Sequence, residues 1–473
     1  MKNIRVLFLL VSLILAYGVT ACGGHSGGGG ADPSESNCNA AANSGCEEGQ
    51  VCEYTTAGGS LCFDPIVLRG GVFDLATDAA IEGARVVARD ANGAVASPVA
   101  ITEADGSYEL QIAVTRDEEG NPAAGQSVTL RADAAGYQTF PGGVRQALPV
   151  DTTNPVDKDL VVEGPLTDIG LIALEAGAGT AAIYGTVEQP ETSRGALVVA
   201  ESSPTTGFTA IADREGKYKI FNLDAGAYTV KAYAQDVNYD SGSATVVAGG
   251  EAEVNLSMND NSTATLNGSV QIVNAPGGSA TSVILVVEST FSDSLVRGEM
   301  PPGLRAPAPG TDPNVTGAFT IDGIPAGTYV ILAAYENDNL VRDPDTCISG
   351  TDIIHQTFVS GQNVSLTQGF KITEALEAIT PGASGPELVT DPTPTLSWVD
   401  DSSEDQYDVF VFDSFGNEVW NTTIAGTSGT NPSVVYGGPA LESGMYYQFK
   451  AVSSKSGCEL SQTEDLKGVF YLE

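Results

Sequence analysis

The chain has 473 residues, more than a single hydrophobic core usually holds, so several folded units are expected. Asp and Glu number 60 against 21 Lys and Arg, and a net charge of −39 makes nucleic acid an unfavourable partner. Apolar residues still make up 42% and Gly is abundant, so a disordered acidic chain is excluded and many short strands joined by turns are favoured. We therefore expect an all-β protein of tandem antiparallel β-sandwiches.

The first 21 residues have the organisation of a signal peptide. Two basic residues, Lys2 and Arg5, precede an apolar run over 6–17 that is too short to span a bilayer. Small residues follow the run, which predicts cleavage immediately before Cys22. A flexible Gly/Ser-rich tether is predicted over residues 22–37.

The sequence Val-Thr-Ala-Cys at 19–22 resembles the lipobox of bacterial lipoproteins. The resemblance implies that the Cys22 thiol carries a diacylglycerol and that several acyl chains, palmitate among them, anchor the mature chain durably. In enterobacteria an aspartate after this cysteine signals inner-membrane retention. Gly23 stands there instead, which favours the outer membrane or the cell surface of a Gram-negative bacterium. The alternative is a soluble secreted protein in which Cys22 is coincidental.

Without Cys22, an even number of cysteines remains, as expected where disulfides form. The segment 38–65 is too short for a core, and two disulfides would hold it, although the sequence does not choose among the pairings. It resembles small Cys-rich modules with Gly-Gln-Val-Cys in secreted proteins of myxobacteria. A four-thiolate zinc site is the disfavoured alternative, since no Cys-x-x-Cys pair is present. The disulfide candidates are Cys38, Cys46, Cys52 and Cys62 in this module, and Cys347 and Cys458 farther along. A Cys347–Cys458 bridge would lock two C-terminal units together, and the sequence leaves it open because it does not give the distance between them.

Three successive segments, 66–175, 176–260 and 261–375, share a set of landmarks in the same order, which indicates a repeated domain. They resemble the carboxypeptidase regulatory-like domain, a transthyretin-like sandwich. The glycines fit turns with positive φ and the tyrosines fit strands that bury their rings, so these residues are predicted to be framework. The landmarks include Asp-Gly-Ser-Tyr at 105–108, Glu-Gly-Lys-Tyr at 215–218, and Gly-x-Tyr at 226–228 and 327–329.

The last segment, 376–473, differs from the repeats. Pro-x-Leu-x-Trp at 394–398 and Leu-x-x-Gly-x-x-Tyr at 441–447 resemble a fibronectin type III sandwich, which implies that Trp398 belongs to the core. Trp420 is the one candidate for a carbohydrate platform. A buried or edge-packed ring is the favoured interpretation for it.

The residues available for catalysis are few. The two histidines are His25, in the tether, and His355, in an alternating strand-like stretch where it is most simply an edge residue. A serine triad and a histidine-based zinc site are therefore nearly excluded, and no segment is left over to form the cleft of a glycosidase. We expect no enzyme.

Two acidic stretches are weak calcium candidates, because clustered carboxylates on loops supply the oxygen ligands that calcium prefers. Neither has EF-hand spacing, and a solvated acidic loop is the favoured interpretation. No other cofactor is expected. The candidate residues are Asp338, Asp343 and Asp345 in the first stretch, and Asp400, Asp401 and Asp405 in the second.

The sequence thus predicts a non-catalytic, lipid-anchored envelope protein that displays a string of β-sandwich domains for structural, adhesive or binding roles. Its partners would be the membrane, through the lipid, and a polysaccharide or an envelope protein, but no nucleic acid. Two alternatives stay open: a polysaccharide-binding surface lipoprotein, and an accessory subunit of an envelope enzyme or transport complex.

Overall fold

The computed structural model describes residues 38–472 with internal gaps. The predicted signal peptide, Cys22 and the tether lie outside the described residues. The gaps are 41–42, 91–94, 118, 124–125, 142–146, 154–159, 176, 191–194, 274–280, 293–297, 308–314, 336–352, 374, 402–403 and 464–466.

The prediction of an all-β fold with an N-terminal disulfide-rich module is confirmed. The cysteine module, residues 38–63, contains β1 (Val51–Tyr54) and β2 (Ser60–Phe63). The first sandwich contains β3 (Ile66–Asp74), β4 (Arg85–Arg89), β5 (Ala100–Ile101), β6 (Ser107–Ile112), β7 (Ser127–Asp133), β8 (Val150–Asp151), β9 (Val161–Glu163) and β10 (Ile169–Leu171). The second contains β11 (Ala181–Thr186), β12 (Leu197–Ser203), β13 (Thr206–Ile211), β14 (Lys217–Leu223), β15 (Gly226–Tyr233), β16 (Asn238–Tyr239), β17 (Gly242–Val246), β18 (Glu251–Glu253) and β19 (Met258–Asn259).

The remaining strands form two further sandwiches. The third contains β20 (Ala264–Val273), β21 (Thr281–Val287), a 3₁₀ turn (Glu288–Thr290), β22 (Arg305–Ala306), β23 (Ala318–Ile324), β24 (Gly327–Tyr335), β25 (Ile354–Phe358), β26 (Asn363–Ser365) and β27 (Phe370–Thr373). The fourth contains β28 (Ala378–Thr380), β29 (Glu387–Val389), β30 (Thr395–Trp398), β31 (Gln406–Asp413), β32 (Glu418–Ala425), β33 (Ser433–Val435), β34 (Tyr446–Lys455), β35 (Cys458–Gln462) and β36 (Val469–Leu472).

Each of the first three sandwiches pairs two sheets with a recurring strand order. One sheet runs β10-β3-β6 in the first sandwich, β14-β11-β18 in the second and β23-β20-β26 in the third. The facing sheets run β5-β4-β7-β8, β13-β12-β15-β17 and β22-β21-β24-β25. In these orders one neighbour of the strand that opens each sandwich is parallel to it: β10 beside β3, β18 beside β11 and β26 beside β20. The other pairs in these orders are antiparallel as expected, and the parallel pairs form where the chain returns in the same direction as the opening strand.

The turn and tyrosine landmarks have the predicted roles. Gly106 and Gly216 adopt φ of 80° and 77°, and an added Cβ there would come within 2.5 and 2.1 Å of a backbone carbonyl oxygen. Tyr228 and Tyr329 are buried, and each hydroxyl donates to a carbonyl oxygen four residues upstream at 3.0 Å. Trp398 is also fully buried, with its ring 5.3 Å from that of Tyr407.

One strand in each of the first three sandwiches is buried on both faces: β4, β12 and β21. Val86 packs inside the first sandwich, whereas Val87, on the other face of β4, joins the core of the third. Val199 of β12 joins that same core. The first three sandwiches therefore share apolar contacts instead of following one another as separate beads, which refines the expected string of domains.

Candidate functional site

The cysteine module is held by two disulfides, Cys38–Cys52 and Cys46–Cys62. Sulfur ligand atoms of this module are the only group of three or more His, Cys, Asp or Glu ligands that lie within 4.8 Å among the described residues. Because all four cysteines are oxidised, the module keeps no thiolate for the zinc alternative. The sequence alone did not distinguish this pairing from the two other possible pairings of these four cysteines.

Of the other two disulfide candidates, Cys347 and Cys458, the structure describes only Cys458. Cys458, at the start of β35, is disulfide-bonded. Cys347 lies outside the described residues, so the Cys347–Cys458 bridge stays a prediction. Cys22 also lies outside them, and lipidation stays a prediction as well. No helix within the described residues is long and apolar enough to cross a membrane.

A buried ion pair attaches the cysteine module to the first sandwich. Glu53 of β1 accepts a hydrogen bond from Arg116 Nε and another, at 3.0 Å, from the Val114 amide, and the two charged side chains are 0% and 2% exposed. Burial raises the pKa of Glu53, and the Arg116 charge opposes that rise. The guanidinium also donates to the Asp64 carbonyl oxygen at 2.8 Å.

Backbone pairing reinforces this attachment. The Arg116 amide donates to the Tyr54 carbonyl oxygen at 2.9 Å, and the Thr56 amide donates to the Arg116 carbonyl oxygen at 2.8 Å. The Phe63 ring lies 5.0 Å from the Arg116 guanidinium carbon. The tether that is predicted to lead to the membrane therefore enters a module that is joined to the first sandwich through backbone, charge and aromatic contacts.

A second set of buried charges lies where the first three sandwiches meet. We call Arg85, Arg89, Arg131, Glu299 and Arg305 the junction cluster. Glu299 of the third sandwich accepts from Arg89 at 2.6 Å and also from Arg131. Arg85 donates to the carbonyl oxygen of Lys217 in the second sandwich at 3.0 Å, and Arg305 donates to Asp90 at 2.9 Å.

Opposite charges in and beside the junction cluster stabilise one another's ionised forms. Burial by itself raises the pKa of Glu299, but the Arg131 and Arg89 charges outweigh it and lower that pKa to about 2. Burial alone would likewise lower the pKa of Arg131, yet Asp133 and Glu299 raise it above its usual value. Such mutually paired charges are suited to holding sandwiches in register, and they leave no carboxylate of the cluster free to act as a general base.

The junction cluster was not anticipated from the sequence. The sequence nevertheless contains a pattern that could have indicated it. Unbroken apolar runs occur in β4, β12 and β21, whereas a strand with one solvated face would alternate apolar and polar residues. In β4 the apolar run is flanked by Arg85 and Arg89, which indicates that charged side chains lie beside a buried face of the strand.

The described calcium candidates each serve a separate loop contact. Asp400 accepts from Thr427 Oγ1 at 2.9 Å and from the Gly429 amide at 3.0 Å. Asp401 accepts from Ser453 Oγ at 2.6 Å, and Asp405 accepts from the Ser456 amide at 2.8 Å. The structure therefore gives these carboxylates protein partners and does not gather their oxygens within 4.8 Å. Asp338, Asp343 and Asp345 lie outside the described residues.

Trp420 is half-buried on β32, with its ring centre 5.2 Å from that of Tyr436 in an edge-on contact. It also packs against the core of the fourth sandwich, which agrees with the edge-packed interpretation, and carbohydrate binding at Trp420 stays a prediction.

His355 lies on β25, at the edge of its sheet, as predicted. The side chain is 48% exposed, and Nδ1 lies 2.9 Å from the Glu288 carboxylate.

Neither a family model nor a curated protein matches the chain. Among solved structures it is similar to the TIE protein of Bacillus anthracis, at 12% identity over 82% of this chain and 68% of that one, with a TM-score of 0.15. It is also similar to the minor pilin GBS52 of Streptococcus agalactiae, at 12% identity over 43% and 100%, with a TM-score of 0.19. A DUF3823 family protein of Bacteroides ovatus, at 12% identity over 45% and 100%, has a TM-score of 0.21. Likenesses of this size carry no functional argument.

Proposed function

We propose that this protein is a non-catalytic, lipid-anchored envelope protein that holds joined β-sandwiches outside the cytoplasm as a structural, adhesive or binding surface. The observation that carries the proposal is the Glu53–Arg116 pair. It ties the module nearest the predicted anchor to the first sandwich, and the junction cluster continues that connection into the second and third sandwiches. A protein in which the buried Glu53–Arg116 and Arg131–Glu299 pairs join neighbouring units in this way is suited to presenting a surface.

Lipidation of Cys22 is the part of the proposal that can be tested most directly. Mass spectrometry of the mature amino terminus is expected to find a diacylglycerol and acyl groups on Cys22, and the chain is expected in the membrane fraction. Cys22→Ser removes the acceptor thiol and is expected to release the chain, whereas the neighbouring Gly23→Ser is the matched control that stays in the membrane. An unmodified amino terminus at Cys22, or retention of the Cys22→Ser variant in the membrane, would refute the anchor.

Display on the cell surface is tested separately. Protease added to intact cells is expected to cleave the chain while a periplasmic marker stays whole. Protection of the chain until the outer membrane is permeabilised would instead place it on the periplasmic side.

A further inference from the structure

A cavity of about 340 Å³ lies where the cysteine module, the first sandwich and the second sandwich meet. Part of its wall is apolar and includes Val51, Val95, Ile112 and Pro190. Small-molecule sites in proteins usually measure roughly 300–1,000 Å³ and combine apolar walls with a few polar groups. This cavity has both properties, because Asn43 and Arg214 also line it.

Arg214 has no partner in a chain rich in carboxylates. It makes no ion pair and no hydrogen bond among the described residues, whereas every other described arginine forms an ion pair with a carboxylate. Its two acidic neighbours are engaged elsewhere: Asp213 accepts from the Lys217 amide at 2.8 Å, and Glu215 pairs with the Lys217 ammonium. Arg214 therefore keeps its full set of donors for another group.

The Arg214 side chain is exposed to solvent at this cavity. Partial desolvation by the surrounding protein nevertheless lowers the pKa of Arg214, and no neighbouring carboxylate opposes that change. Asn43 uses its Oδ1 to accept from the Cys52 amide at 2.8 Å, and its Nδ2 has no hydrogen-bond partner among the described residues. The other two polar side chains of the described lining, Ser97 and Gln189, donate to the carbonyl oxygens of Pro98 and Asp213, so the unused donors are those of Arg214 and Asn43.

We propose that this cavity binds a small aliphatic carboxylate, with the Arg214 guanidinium holding the carboxylate and the apolar walls holding the hydrocarbon. The planar guanidinium matches a carboxylate through two parallel hydrogen bonds. A phosphate is a poorer match because Arg214 is the single cationic residue of the described lining, and a sugar is a poorer match because that lining has no aromatic ring. The proposal goes beyond the envelope role and does not depend on whether Cys22 carries a lipid.

The test is isothermal titration calorimetry of hexanoate into the full mature chain in a non-ionic detergent, with 1-hexanol as the uncharged probe of the same length. Hexanoate is expected to bind, and hexanol to bind about tenfold more weakly, because hexanol has no carboxylate to accept the charged hydrogen bonds of Arg214. Hexanol binding as tightly as hexanoate, or the absence of hexanoate binding, overturns the proposal.

Variants locate the site. Arg214→Gln is expected to lower hexanoate affinity about tenfold and to leave hexanol binding unchanged. Arg214→Lys keeps the positive charge but lacks the two parallel donors of the guanidinium. Its hexanoate affinity is expected to lie between those of the unmodified protein and Arg214→Gln. Lys219→Gln removes the same charge from the same sandwich, in a pair with Glu251 that does not line the cavity, and is the matched control that binds like the unmodified protein. Equal losses in Arg214→Gln and Lys219→Gln would show a general charge effect and overturn the proposal.

The apolar walls are tested by a residue that does not threaten the fold. Ala113 lines the cavity and is exposed, so Ala113→Leu places bulk in the opening with little cost to stability. This variant is expected to weaken hexanoate and hexanol together. Unchanged binding of both probes would place their site elsewhere and overturn the proposal.

Discussion

Arg131 of the first sandwich and Glu299 of the third are 168 residues apart in the sequence and form an ion pair in which the Arg131 side chain is 2% exposed. Arg131 also donates to Thr209 of the second sandwich at 2.9 Å, so this single arginine contacts three sandwiches. Glu299 in turn holds Arg89. The Glu299 side chain is 22% exposed, so the Arg131–Glu299 pair is largely buried where the first three sandwiches meet.

Glu299→Gln is expected to lower the free energy of unfolding by about 3–5 kcal/mol, because it leaves Arg89 and Arg131 buried without their shared counter-charge. Urea unfolding followed by circular dichroism measures this loss. Glu109→Gln breaks the exposed Arg69–Glu109 pair and is the matched control with little expected change. If both variants lose the same small amount, the junction cluster does not hold the sandwiches together.

The pH dependence of stability should follow the Glu299 carboxyl. Its pKa is about 2 in the folded chain against an ordinary 4.5, so its contribution is fully present above pH 4.5 and is lost as the pH falls toward 2. The difference in unfolding free energy between the unmodified protein and Glu299→Gln is therefore expected to shrink over that interval. A urea titration at successive pH values gives the difference, and a constant difference down to pH 2 would contradict the lowered pKa.

The attachment of the cysteine module should depend on Glu53. Glu53→Gln keeps the shape of the side chain but leaves the Arg116 charge buried without its counter-charge, so amide hydrogen exchange in β1 and β2 is expected to accelerate. Glu48→Gln, an exposed carboxylate of the same module, is the control that leaves exchange unchanged. Unaltered exchange in both variants would mean that the disulfides and backbone contacts suffice.

Asn222 links the second sandwich to the first. Its Oδ1 accepts from the Gly136 amide at 2.8 Å, and its Nδ2 donates to the carbonyl oxygens of Ala134 and Tyr137 at 3.1 and 2.8 Å. Asn222 has φ of 61°, a backbone conformation that glycine adopts readily. Asn222→Gly therefore preserves the backbone while it removes all three hydrogen bonds, each contributing about 0.5–1.5 kcal/mol. Exchange of the Gly136 amide is expected to accelerate most in Asn222→Gly and less in Asn222→Asp, which keeps the acceptor. Equal exchange in the two variants would contradict the acceptor role of Oδ1.

Much of the fold can be predicted from local pattern. Turns such as the one at Gly106 need a backbone conformation that few residues adopt, and strand alternation marks which side chains face inward. The buried Tyr329 and Trp398 follow from motifs a few residues long. The disulfide partners do not follow, because three pairings of Cys38, Cys46, Cys52 and Cys62 fit the same spacing.

The sequence by itself determined the strand-rich composition, the repeated landmarks, the predicted anchor at Cys22 and the scarcity of histidine, since each is a property of residue type and short-range order. Only the tertiary structure decided that Arg131 meets Glu299, that Glu53 meets Arg116, and that Arg214 lines a cavity without a carboxylate partner. The physical reason is that the sequence does not show whether a charged residue is solvated, paired or beside a cavity, since its surroundings depend on which sheet faces pack together.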